Sequence, residues 1–211
     1  SVAAARDFAW LGTDEAADRL QMTLATMGSL ARFRGHFYNW YDTSDLRPLD
    51  PLYISAVDSG NLAGHLITLA NACREWTTLA PTAARRLTGI ADALDLAREA
   101  TDRLRDGRRT LTVTWSQLDA SLTALAVNVR QAEPEIARHL AEISAQADIA
   151  VDIATAFVTE RGDDTAVDML FWMTAARRTI ESHRRDVGLA PEAETALTQR
   201  LSVLESTART M

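Results

Sequence analysis

The sequence predicts an all-α fold built as a multi-helix array, and three observations carry this prediction. Apolar residues recur three and four positions apart along most of the chain, which places them on one face of successive helices. Proline and glycine fall between these stretches, where helices begin and end. Residues 61–211 show no convincing strand pattern. We therefore expect residues 81–211 to form long antiparallel helices in a bundle-like segment.

The first helix with a clear apolar face is expected in residues 13–31. Thr13 suits the N-cap position, and the acidic residues Asp14 and Glu15 suit the positively polarised first turn. The positions that would face the core are Ala17, Leu20, Leu24, Met27 and Ala31.

Later helices are expected from about Leu62 to Trp76, up to about Arg105, over 111–131, over 164–187 and from Pro191 onward. Breaks are expected at residues 107–109, at residues 162–164 and at Gly188, and Pro134 suits the first turn of a helix. One stretch alternates spacings of four and three, which is typical of a heptad seam between packed helices. Its positions are Ile136, Leu140, Ile143, Ala147, Ala150, Ala154 and Phe157.

Composition excludes several classes of function. The chain has 211 residues and a net charge of -7, which argues against nucleic acid as a partner because phosphate binding needs a basic field. No run of about 18 apolar residues occurs, so no membrane-spanning segment is expected. Cys73 is the single cysteine, and the four histidines show no metal-ligand spacing. We expect neither a metal nor another cofactor.

The ends of the chain indicate a segment of a longer protein. Residues 1–6 read SVAAAR, without Met, in what looks like a helix, and a helical pattern is still running at Met211.

Residues 32–60 form a dense, aromatic, turn-rich segment, here called the aromatic loop. Residues 35–43 read GHFYNWYDT, and such a density of rings is costly unless the side chains are buried or bind a ligand. Aromatic faces beside amides and carboxylates are typical of sugar sites, because a pyranose stacks on a ring while its hydroxyls form hydrogen bonds. The candidate sugar-binding residues are Asn39, Trp40, Tyr41, Asn61 and His65.

Asp42 and Asp58 are the two acids best placed for catalysis, since cleavage of a glycosidic bond needs a pair of carboxyl groups. Each also has a structural interpretation. Asp42 fits an Asx turn with Thr43 and Ser44, and Asp58 or Ser59 fits the N-cap of the helix expected near Leu62.

The other candidates have structural alternatives as well. Trp40 and Tyr41 suit loop anchoring as well as sugar stacking, and His65 suits a satisfied buried position. Gly64, inside the expected helix, would allow close packing.

The aromatic loop and the helix after it resemble the cyclic β-1,2-glucan synthases. The resemblance is carried by residues 35–43 and by residues 53–66, which read YISAVDSGNLAGHL. It begins at residues 4–8 and runs to about Trp76, with departures at Leu52 and Ala56, where a basic and a hydroxyl residue are expected.

This resemblance implies a fold, a location and a role. Residues 1–80 would be the start of a glucoamylase-like region, a partial (α/α)-barrel-like front end. The family consists of large bacterial inner-membrane glycosyltransferases (hexosyltransferases) that make glucan from UDP-glucose and cyclise it. This region would be cytoplasmic and soluble, with the remaining synthase domains and β-1,2-glucan, or another glucose polymer, as its partners.

Three roles remain open at this point. The chain could handle or position the growing glucan, it could act as a hydrolase on β-1,2-glucan with Asp42 or Asp58 as general acid, or it could be a helical spacer. The parent protein would be a glycosyltransferase, and we expect the segment by itself to be inactive.

Overall fold

The structure is a computed structural model that describes residues 1–105, 110–132, 136–162 and 164–211. The first half contains α1 (Val2–Asp7), α2 (Thr13–Ser29), the strands β1 (Arg32–Phe33) and β2 (His36–Phe37), and α3 (Ala56–Trp76). The second half contains α4 (Ala83–Asp102), α5 (Trp115–Gln131), α6 (Ile136–Arg161), a 3-10 turn (Asp164–Ala166), α7 (Val167–Val187) and α8 (Pro191–Thr210).

The prediction of an all-α fold is confirmed. The strands of the described residues are two residues long each and pair as one antiparallel hairpin in the aromatic loop. None of the helices in the described ranges combines the length and the apolar character needed to cross a bilayer. The barrel-like character of the front end stays a prediction.

The chain forms two compact units. The first consists of residues 1–15 and 81–190, and in it α6 packs on α5 and α7, while α4 packs on α5 and α7. The predicted seam on α6 is confirmed, because six of its seven positions are at most 2% exposed and Ile136 is half-buried. The small residues Ala147, Ala150 and Ala154 lie in the middle of this seam and let the helices approach closely.

The second unit consists of residues 16–80 and 191–211. Its main contact joins α3 to α8. The buried positions of α3 are Leu66, Ala70, Cys73 and Trp76, and those of α8 are Leu201, Leu204 and Ala208. Burial raises the pKa of the Cys73 thiol to about 11, so this cysteine stays protonated and is a packing residue, not a nucleophile.

The beginning of α3 corrects the sequence prediction. The helix begins at Ala56, and its N-cap is Ser55, whose Oγ accepts a hydrogen bond from the Asp58 amide at 3.1 Å. The N-cap predicted at Asp58 or Ser59 is therefore wrong. The predicted start was too late because glycine disfavours a helix interior. In the structure, Gly60 nevertheless lies in the second turn of α3.

Other boundaries agree more closely. Helix α5 begins at Trp115, with Thr114 and Gln117 forming a capping box. Helix α7 ends at Val187, directly before Gly188, and α8 begins at Pro191, both as predicted. The predicted break at residues 107–109, the position of Pro134 and that of Asp163 lie outside the described residues.

Candidate functional site

The aromatic loop begins with a tight hairpin. Arg34 and Gly35 have φ values of 50° and 89°, which fits the two-residue turn that matches the twist of short antiparallel strands. The strands pair Arg32 with Phe37 and Phe33 with His36. The guanidinium of Arg32 lies 4.3 Å from the centroid of the Phe37 ring and covers it.

Tyr41 holds the loop together. Its hydroxyl donates to the carbonyl of Ala31 at 2.7 Å and accepts from the amide of Tyr38 at 2.8 Å. Its backbone also forms a bridge with Pro48. The hydroxyl thus both donates and accepts within residues 31–41, at the start of the loop, which favours the anchoring interpretation of Tyr41 over sugar stacking.

Trp40 stacks on Tyr53 with ring centroids 5.9 Å apart. The two rings are 50% and 52% exposed, so each keeps surface open to solvent. The backbone beneath them is fixed, because Leu49 donates to the carbonyl of Trp40 and Asn39 donates to the carbonyl of Tyr53. The pair is a rigid, solvent-facing aromatic surface beside Asn39.

Asp42 forms the turn that its sequence context suggests. One carboxylate oxygen accepts hydrogen bonds from the amide and the hydroxyl of Ser44, and Arg47 lies 3.8 Å from the other. The hydrogen bonds from Ser44, aided by Arg47, lower the pKa of this carboxyl. A general acid must hold a proton near neutral pH, and these partners favour the ionised form instead.

The side chains of Asn39 and Asp58 form a hydrogen bond with each other. Asn39 Nδ2 donates to Asp58 Oδ2 at 2.8 Å, and Asn39 Oδ1 accepts from the Ser55 amide at 2.9 Å. An acid at the third position of a helix ordinarily accepts from the N-cap amide itself. Here that amide donates to Asn39 instead, and the Asp58 carboxylate is held by Asn39 through one oxygen.

A groove of about 860 Å³ surrounds this pair. Its walls are residues 35–39 of the aromatic loop, the first three turns of α3 and the end of α8. The apolar part of the lining comes from α3, and its residues are Leu62, Ala63, Leu66 and Ile67. This size and mixture match those of small-ligand sites.

The structure separates the predicted site residues into two sets. Asn39 and Asp58 line the groove. Trp40, Tyr41 and Asp42 lie in the adjoining loop, and Asn61 and His65 are exposed on α3, outside the set of residues that line the groove. The roles of all these residues stay predictions.

Several groove residues were not predicted. Ser55 could have been found from its spacing to Asp58, since Ser-x-x-Asp before a helix is a capping signal. Arg209 and Met211 come from the far end of the chain, and no local pattern links them to the aromatic loop. Arg209 is held beside the groove by Glu205 at 3.1 Å and Asn71 at 3.2 Å.

Two further observations bear on cofactors. Within the described residues, no cluster of three or more His, Cys, Asp or Glu side chains could hold a metal ion. The residues that line the groove carry the charged side chains of Asp58 and Arg209, one of each sign, together with His36. Such a balance suits an uncharged polar ligand better than a phosphate.

Comparison with known proteins identifies the relationship. No protein-family model matches the chain. The chain is related to a region of the cyclic β-1,2-glucan synthases, as the resemblance of its aromatic loop predicts.

One relative is the cyclic beta-(1,2)-glucan synthase NdvB of Rhizobium meliloti (strain 1021), which is 36% identical to this chain over 218 residues. The similarity covers 99% of this chain, so it extends beyond Trp76, where the recognised motifs end. It covers 8% of the length of NdvB.

Proposed function

We propose that this chain holds and positions a β-1,2-glucan within a cyclic β-1,2-glucan synthase, with the groove beside α3 as the binding site. The observation that carries the proposal is the Asn39–Asp58 pair, a pre-oriented acceptor inside a groove large enough for a sugar. The relationship to a glucan synthase supplies the ligand.

The chemistry of the groove supports a neutral sugar. Asp58 Oδ2 is occupied by Asn39, and within the described part of the chain Oδ1 has no hydrogen-bonding partner. Hydroxyl groups of a sugar are donors that a carboxylate oxygen accepts well. The apolar part of the lining, formed by α3, would lie against the C–H face of the ring.

The same geometry favours binding over hydrolysis. Glycosidases need two carboxyl groups that face each other across the bond to be cleaved. Among the described residues that line the groove, Asp58 is the one with a carboxylate side chain. The hydrolase role with Asp42 or Asp58 as general acid therefore has less support than the role of holding the glucan.

The larger context belongs to the proposal as well. The whole protein would be an inner-membrane glycosyltransferase that uses UDP-glucose, and this region would lie on the cytoplasmic side with the other synthase domains as partners. Residues 1–80 would be the start of its glucoamylase-like region, and residues 81–211 the long-helix segment.

The proposal is tested by calorimetric titration of the chain with linear β-1,2-glucan. Asp58→Asn keeps the size of the side chain and removes its charge, and we expect binding to weaken about tenfold because a hydrogen bond to a charged group is lost. Glu75→Gln is the matched control, since Glu75 is an exposed carboxylate near the other end of the same helix.

Equal affinity of the Asp58→Asn and Glu75→Gln variants would remove Asp58 from the site. Absence of saturable binding by the unmodified chain would contradict the proposal and favour the role of a helical spacer.

A further inference from the structure

A second exposed aromatic surface lies in the first unit, at the corner between α1 and α2. Phe8 and Trp10 are 58% and 49% exposed, and their rings stack with centroids 5.2 Å apart and planes 26° apart. Two large aromatic side chains on one exposed surface indicate a binding site, because a folded protein ordinarily buries such side chains.

The backbone of this corner is fixed by buried polar side chains of α7. Arg86 Nη1 donates a hydrogen bond to His183 Nδ1 at 3.3 Å, because a guanidinium nitrogen can only donate. The proton of the imidazole is therefore on Nε2, which donates to the carbonyl of Ala9 at 2.6 Å. Thr179 Oγ1 donates to the carbonyl of Trp10 at 3.1 Å, and the amide of Gly12 donates to Ser182 Oγ at 2.9 Å.

Two close approaches hold the same corner sterically. Ala9 has a φ of 58°, a left-handed conformation that costs about 1 kcal/mol for a residue with a Cβ. Gly89 of α4 lies against it so closely that a Cβ on Gly89 would be 2.0 Å from the carbonyl oxygen of Ala9. The corner is thus held in one conformation by contacts that bury its main chain and leave its two aromatic rings exposed.

Asp92 adds a polar group beside the rings. Trp10 Nε1 donates to Asp92 Oδ2 at 3.1 Å, which fixes the plane of the indole. Asp92 is exposed, and its Oδ1 has no partner among the described residues. An apolar partner that covered the rings would strip water from this oxygen without replacing its hydrogen bonds, at a cost in free energy.

We propose that Phe8, Trp10 and Asp92 form a second binding site for a neutral pyranose, separate from the groove. The sugar ring would stack on the exposed aromatic surface, and a hydroxyl group would donate to Asp92 Oδ1. A pyranose is the ligand that satisfies both features, since it has an apolar face and hydroxyl donors at its edge. The site does not depend on the groove being a glucan site.

The test is fluorine NMR of the whole chain carrying 5-fluorotryptophan, titrated with linear β-1,2-glucan. The five tryptophans give separate signals that single Trp→Phe variants assign, and the buried Trp76 serves as an internal reference. We expect the Trp10 signal to move saturably, and to move equally in the Asp58→Asn variant, in which the groove is impaired.

Two variants probe the site itself. Asp92→Ala should weaken the Trp10 response at least fivefold, because the hydroxyl acceptor is lost. Phe171→Ala is the matched control, since Phe171 is an aromatic residue that is 61% exposed in the same unit, and it should leave the response within twofold.

A Trp10 signal that stays fixed at glucan concentrations up to solubility would overturn the proposal. Calorimetric binding that persists in that case and is lost in Asp58→Asn would leave the groove as a glucan site. A Trp10 shift of equal size in Asp92→Ala would overturn the assigned site as well.

Discussion

At the scale of single residues, the most constrained group is His183. It is fully buried, accepts at Nδ1 from Arg86 and donates from Nε2 to Ala9, so it is held as the neutral imidazole. Asp186 lies beside it, accepts from Arg86 at 3.1 Å and also accepts from the first two amides of α2, those of Thr13 and Asp14. The histidine therefore links α4 and α7 to the corner of residues 9–12.

We predict that His183 makes stability depend on pH. Burial lowers its pKa, with the nearby Arg86 and Arg6 adding to this direction against the hydrogen bond to Ala9 and the charge of Asp186. The unfolded chain then binds more protons than the folded chain below the ordinary histidine pKa of about 6.5. The contribution of the neutral His183 to the free energy of unfolding is complete above about pH 6.5. It is lost progressively as the pH falls towards the lowered pKa of His183 in the folded chain.

The measurement is urea unfolding at pH 7.5 and pH 5.5. His183→Gln should lose less stability between these two values than the unmodified chain does, although it is less stable at pH 7.5. His139→Gln serves as the control, because His139 is half-buried in the same unit. If the free energy of unfolding changed equally with pH in the unmodified chain and in His183→Gln, His183 would not be the cause of the pH dependence.

Single residues also show what the sequence allows one to predict about the site. Asn39 and Asp58 are two of seven candidates chosen for their residue types, and residue type does not separate them from the five that lie outside the groove lining. The hydrogen bond between Asn39 and Asp58 spans 19 positions and could not be read from spacing. The contacts that Tyr41 makes with Ala31 and Asp42 makes with Arg47 favour structural roles in the loop, but these contacts could not be predicted from spacing, so the sequence left both alternatives open.

At the scale of elements, α3 carries two glycines that packing does not explain. A Cβ on Gly60 or on Gly64 would meet no atom within 4 Å, so the close packing predicted for Gly64 is wrong. Glycine inside a helix costs about 1 kcal/mol relative to alanine. Gly60 lines the groove and Gly64 does not, which gives a matched pair on one helix.

We predict that Gly60→Ala and Gly64→Ala each stabilise the chain by about 0.5–1 kcal/mol, because alanine favours the helix and neither methyl meets a neighbour. Gly60→Ala should in addition weaken the binding of β-1,2-glucan several-fold, since the methyl projects into the groove. Thermal unfolding and calorimetric titration of both variants check this. Equal glucan affinities in the two variants would place the ligand elsewhere.

Elements with long periodicity were the most predictable. The α6 seam repeats over seven positions, and its burial follows from helix geometry alone. The hairpin at residues 32–37 was not predicted, because two strands of two residues each have no measurable alternation. The start of α3 was placed late because Gly60 outweighed the capping signal of Ser55 and Asp58.

At the scale of the whole molecule, the net charge of the chain is compatible with the neutral glucan that we propose as its ligand. The chain has a net charge of -7, and all 22 basic residues are arginine. A neutral polymer such as a glucan is not repelled by an acidic protein. Each compact unit presents a pair of exposed, stacked aromatic rings, Trp40 and Tyr53 in one and Phe8 and Trp10 in the other. Such surfaces are what the proposed role of holding a glucan would require.

The most direct measurement is a crystal structure of the chain with a linear β-1,2-gluco-oligosaccharide. We predict that sugar rings lie in the groove against the apolar face of α3, with a hydroxyl oxygen within about 3 Å of Asp58 Oδ1. An oligosaccharide bound elsewhere, with an empty groove, would contradict the role of Asn39 and Asp58 as the glucan site.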